Sequence, residues 1–162
     1  MELNTFAFIS VDFAILSAVT GGVFQAFSDF VMRGLLAAAP KSGIDAMQMI
    51  NRTVMRSTFL AILLGLGPAS IIFAMYSAAH AASDVRFWIF LATGIYLIGV
   101  LGVTMGFNVP MNNRLATLDA SAFEAIGYWR EYGRNWTRWN HVRTIGCVAA
   151  SVSYLIAAAL SV

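Results

Sequence analysis

The sequence predicts an all-α integral membrane protein, a four-helix bundle whose first and third connections carry amphipathic helices at the membrane interface. Three observations lead there. Hydrophobic residues make up 59% of the 162, charged residues only 11%, and the mean hydropathy is +0.74, whereas a soluble domain is about a quarter charged. Four apolar segments each approach the roughly 20 residues that cross a hydrocarbon layer, and they are continuous, without the period-two alternation of a barrel. Nine of the ten basic residues lie in or beside the first and third connections. The positive-inside rule puts those connections in the cytoplasm and both termini outside, as in a bacterial cell membrane. A chain of this length has room for one domain, residues 1–162.

The first segment runs from about Phe6 to Phe30 and is interrupted by Asp12 and Gln25. It lacks a leading Lys/Arg cluster, so it reads as a span and not as a cleaved signal. Ala18, Gly22 and Ala26 form a ridge of small residues suited to close helix packing. In the first connection, Ile44, Met47, Met49, Ile50 and Val54 recur at helical intervals among Asp45, Gln48, Asn51 and Arg52, the pattern of an interfacial helix. The second segment, about Phe59 to Ala79, contains Gly65, Gly67 and Pro68, a kink signal. The third, about Phe87 to Val109, carries Gly102 and Gly106 as a GxxxG pair. Ser121-Ala122-Phe123-Glu124 fits a capping box for a helix in the third connection, with Asp119 as the other candidate cap. Trp129, Tyr132, Trp136 and Trp139 follow at three- and four-residue steps, which also suits an aromatic belt. One helix can run along the interface and feed the last span, Ile145 to Val162.

Chemistry-bearing residues concentrate at the cytoplasmic ends. In the third span Thr104, Asn108 and Asn112 are four apart and share a face. Pro110 removes a backbone donor there and strips the Gly106 carbonyl of its helical partner. Gln25, Ser28 and Asp29 share a face of the first span. Trp136, Asn140 and Thr144 share one of the last, flanked by Trp139 and Arg143 on one side and by Thr137 and His141 on the other. Asn51 and Arg52 can close the group from below. Asp12 belongs to the outer side, about 25 Å away along the helix. Asp29 and Arg33 also fit a plain ion pair, and the asparagines also fit interhelical glue. Four segments placing their most polar residues at one level nevertheless predicts a pocket.

Composition removes several classes. Cys147 is the only cysteine, which excludes an intrachain disulfide, a CxxC pair and a cysteine zinc site. His80 and His141 fall at opposite faces, so a bis-histidine haem does not fit, and the ligands of a copper or di-iron site are lacking. There is no P-loop, dinucleotide fingerprint or GxSxG. No dense basic run marks a nucleic-acid surface, and the net charge of +2 suits topology and anionic lipid.

The run Phe27-Ser28-Asp29-Phe30, then Ile50-Asn51-Arg52, then Phe107 to Asn113, then Trp136 to Arg143 resembles the anthrone oxygenase-like family of small four-span membrane proteins. The resemblance extends in order along nearly the whole chain. It implies oxygenation of a tricyclic anthrone to an anthraquinone with no cofactor and no metal. His141 would remove the acidic CH2 proton, Asn108, Asn112 or Asn140 would bond the forming enolate oxygen, and Arg143 would supply positive charge. Trp136 and Trp139 would wall a flat aromatic or quinone-like molecule arriving from the bilayer. Gln25, Asp29 and Asn51 complete the expected binding set. The competing reading is a non-catalytic subunit with membrane-protein partners or a homo-oligomer. A small transporter is a third, disfavoured because the polar groups gather at one end.

Overall fold

The computed structural model describes residues 5–162, and among them every regular element is a helix. Helix α1 spans Thr5–Ala37, α2 Pro40–Val54, α3 Thr58–His80, α4 Ser83–Ala116 and α5 Phe123–Leu160. All but α2 are long and apolar enough to cross a membrane. Neighbours in space follow the ring α1, α5, α4, α3, with α1 and α5 the most extensively packed pair.

Length decides what lies beyond the membrane. At 1.5 Å per residue, the 38 residues of α5 extend about 57 Å, against a hydrocarbon layer of about 30 Å. Helices α1 and α4, of 33 and 34 residues, also exceed that thickness. All three overrun toward the end that carries the long connections, the basic end. There they bury Met32, Leu115, Ala125, Tyr128, Trp129, Tyr132 and Trp136 together with Ile44 and Met47 of α2. The predicted amphipathic helix therefore forms, and its inner face is Gly43, Ile44, Met47 and Gln48, while Met49 is exposed. Gln48 Nε2 donates to the carbonyls of Leu115 and Leu118, both at 2.9 Å. It thereby ties α2 to the end of α4 and to the connection that follows it.

The α1–α5 seam follows a heptad on both helices. Ala7, Ser10, Ala14, Ser17, Gly21, Phe24 and Ser28 are buried on α1, and Gly133, Trp136, Asn140, Arg143, Cys147, Ala150, Tyr154 and Ala157 on α5. Alternating steps of three and four keep one stripe inward, as in a coiled coil. On α1 the stripe is small or polar except for Phe24, while Phe8, Ile15 and Val19 face outward. Lipid solvates apolar groups as well as a protein core does, so large apolar residues have no drive inward and packing selects small ones.

That inversion moves both small-residue ridges from their expected places. Ala18 and Gly22 are exposed, and a Cβ on Gly22 would meet nothing within 4 Å. The close contact belongs to Gly21, where a Cβ would lie 2.9 Å from the Cβ of Cys147. Likewise Gly102 and Gly106 are exposed, and α4 meets α5 through Gly99 and Gly146 instead. Gly21→Ala is thus expected to destabilise the protein by about 1–3 kcal/mol through overpacking, whereas Gly22→Ala should be neutral or stabilising by up to about 1 kcal/mol from helix propensity. Thermal unfolding of the two variants in one detergent checks the contrast, and equal melting temperatures would contradict the seam.

Two further expectations change. Helix α5 begins at Phe123 with no side-chain cap. Ser121 instead donates its N–H (2.9 Å) and hydroxyl (2.7 Å) to Asp119 Oδ1, an Asx turn in place of the capping box. The Ser121 backbone bond, then its hydroxyl, hold the Asp119 carboxyl below its usual range. Among the described residues the one ion pair is Lys41–Asp45. Asp29 and Arg33 do not pair, because the π-helical turn Phe27–Val31 changes the register that would stack residues four apart. Pro68 lies inside α3, which continues through it as one helix.

Candidate functional site

Helix α4 sets the geometry. Tyr96, Val100, Thr104 and Asn108 are buried, and Asn112, the next in the series, is half-buried. Four residues of α-helix overshoot a full turn by about 40°, so a strict four-residue spacing would carry such a series off its face. Two π-helical stretches, Tyr96–Gly102 and Thr104–Asn108, absorb the drift, since each π turn accommodates an extra residue. The Val109 N–H bonds the Thr104 carbonyl in that wider pattern, and α-helix resumes with Pro110 in its first turn, where a missing N–H costs least. The asparagines of α4 therefore point at α5.

On α5, Asn140 and Arg143 lie on the seam and are buried. Asn140 Nδ2 donates to the Phe24 carbonyl and to Ser28 Oγ, both at 2.6 Å. Its Oδ1 accepts from the Arg143 guanidinium at 2.6 Å. A longer bond joins the same guanidinium to Thr104 Oγ1, 3.5 Å away. Asn108 Nδ2 donates to the Trp136 carbonyl at 3.2 Å. Asn112 Oδ1 accepts from the Tyr132 hydroxyl (2.8 Å) and from Trp136 Nε1 (2.9 Å), and Asn51 faces the same hydroxyl from α2. The structure thus brings together Asn51, Asn108, Asn112, Trp136, Asn140 and Arg143, and adds Ser28, Thr104 and Tyr132.

It does not bring the rest. Gln25 and Asp29 are exposed on the outer side of α1, and His141 is exposed. One residue on a helix is about 100° of rotation, so burying Asn140 turns His141 away from the cluster. Trp139 stands at the flank, stacked on Phe107 with centroids 3.6 Å apart and planes 11° apart.

The electrostatics are unusual. Arg143 is 5% exposed and has no carboxylate. Its charge is flanked by the Phe24 ring at 4.2 Å and the Trp136 ring at 5.2 Å, contacts that offset only part of the desolvation. Its Nε has no partner, and neither does the buried Oδ1 of Asn108. A buried cation with a free donor suits an oxygen that carries or develops negative charge. Beside this core, α4 and α5 bound an open groove of about 370 Å³ lined by Gly106, Phe107, Met111, Arg114, Tyr128, Glu131, Tyr132, Asn135 and Trp139. Sequence reasoning singled out only Trp139 of these as a site residue. The sequence signal was Glu131, Asn135 and Trp139 at steps of four, one flank of α5. Among the described residues no three His, Cys, Asp or Glu side chains gather at any point.

A sequence model described as anthrone oxygenase matches residues 50–153. No curated protein matches the chain, and no solved structure does.

Proposed function

The chain belongs to the anthrone oxygenase family, and from that membership we propose that it oxygenates a planar anthrone-type substrate at the basic end of the bundle, without drawing electrons from a cofactor. The observation that supports this most is Arg143, a buried guanidinium with no counter-charge, beside the open acceptor of Asn108.

The chemistry balances on substrate and dioxygen alone. The CH2 between the two aryl rings loses a proton to solvent water, and the electron pair moves to the ketone oxygen as an enolate. Arg143 stabilises that oxygen, with Asn140 holding the guanidinium in place. The carbon then transfers electrons to dioxygen, a C–O bond forms, the peroxide anion takes a proton back, and the hydroperoxide loses water together with the second CH proton. One oxygen atom ends in the new ketone and the other in water. In this reading the basic end faces the cytoplasm and the bilayer delivers the apolar substrate.

The test is turnover by the detergent-solubilised protein in air-saturated buffer. Quinone formation with one dioxygen consumed per substrate supports the reading. A rate no faster than spontaneous autoxidation, with the helical content intact, sinks it. His141→Ala is expected to leave kcat within about threefold, since the exposed imidazole is outside the cluster. A loss of about 100-fold or more, the effect of removing a general base, would return it to the site.

A further inference from the structure

We propose that the groove between α4 and α5 is the docking site for the ring system of a planar phenol or phenol-ketone, with Gly106 leaving it open and Glu131 selecting hydroxylated rings. The inference deepens the oxygenase reading and takes its substrate class from it. At about 370 Å³ the groove lies in the range of small-molecule sites, roughly 300–1,000 Å³. Phe107 and Trp139, stacked on each other 11° from parallel, both line it, and aromatic lining favours a fused ring over a jointed chain. Gly106 lines it, and a Cβ there would meet nothing within 4 Å. The missing side chain is therefore space in the groove and not a helix contact.

The polar groups give the site a chemical sense. Arg114, with its guanidinium 4.0 Å over the Tyr128 ring, offers donors for an oxygen substituent of the ring other than the ketone that Arg143 takes. Glu131 is the one acidic residue of the lining. It makes no ion pair, so its carboxylate is free to accept from phenolic hydroxyls. A lipid acyl chain would use neither. Tyr132, itself buried, borders the groove, and its hydroxyl donates to Asn112 of the buried cluster.

Equilibrium titration with a dihydroxyanthraquinone dye, followed by its visible absorbance, tests the assignment in the full-length protein. Gly106→Leu fills the groove and is expected to weaken binding about tenfold or more. Gly94→Leu, at another open position of α4 away from the groove, should leave it within about twofold. Glu131→Gln should weaken the hydroxylated dye about tenfold and leave unsubstituted anthraquinone unchanged, since it removes a hydrogen bond to a charged group. No dye binding to the wild type, or equal binding to Gly106→Leu, overturns the docking site. Equal discrimination by Glu131→Gln overturns the selecting role. Dye binding that Gly106→Leu blocks, in a protein that turns over no anthrone, keeps the groove and removes the oxygenase reading. Anthrone turnover with an unchanged KM in Gly106→Leu keeps the activity and removes the groove.

Discussion

Arg143→Met is expected to lower kcat/KM for an anthrone by about 10²–10³-fold, the usual effect of deleting a preorganised donor to a developing oxyanion. The melting temperature of the solubilised protein should hold or rise. These two effects rarely go together. The guanidinium is buried without a carboxylate, and replacing a buried charge by an apolar chain of similar volume is often neutral or stabilising. Methionine also fits beside the Phe24 and Trp136 rings that now flank the cation, as a sulfur–aromatic contact. Arg143→Lys keeps the charge but not the fork that reaches both Asn140 and Thr104, so it should recover only part of the activity. Steady-state kinetics and thermal melts in one detergent are sufficient. A variant that loses stability as well as activity would make Arg143 a structural residue.

Asn140→Ala, in contrast, should lower the stability. It removes the amide that bonds the Phe24 carbonyl, Ser28 Oγ and the guanidinium, leaving a buried cation with one long hydrogen bond. Unsatisfied buried groups of this kind cost about 2–4 kcal/mol in sum. Part of that cost is the stranded charge, so the same substitution in the Arg143→Met background should cost less by about 1–2 kcal/mol. A double-mutant cycle on unfolding free energies measures this coupling. Strict additivity would show that the 2.6 Å contact between the two side chains carries no energy.

The bundle itself was readable from residue type alone, because hydropathy and one-sided arginines are direct signatures of the membrane as a solvent. So was the level at which Asn51, Asn108, Asn112, Asn140 and Arg143 meet. What the sequence hid was rotation about the helix axes. On α1, Ala14, Ser17 and Gly21 face inward while Ile15, Leu16 and Val19 face outward, so the packed stripe lies one residue away from the ridge that Ala18, Gly22 and Ala26 suggest. On α5 the seam mixes Trp136, Asn140, Arg143, Cys147 and Ala150, chemistries too varied to produce a periodic signal. His141 belongs with Thr137 to the flank of the Asn140 face, and one residue of helix, about 100°, is enough to carry it out of the cluster. The groove was missed because Gly106, Glu131 and Asn135 each look ordinary. Only the antiparallel approach of α4 and α5 makes them neighbours.

The two π-helical stretches of α4 have a consequence for how such a site can be gained or lost. Each is the trace of surplus chain held within a helix that is otherwise continuous. Removing a single residue there, Gly102 for example, would let ordinary helix close up with eleven steps of about 100° between Tyr96 and Asn108, about 20° past three full turns, so Asn108 would keep its face. Ordinary helix at the present length would take twelve such steps, about 120° past three turns, and would carry Asn108 off the seam. The polar constellation thus depends on chain length and backbone pitch being matched. Among relatives of equal helix count, those one residue shorter between Tyr96 and Asn108 should show plain α-helix there with the same polar face.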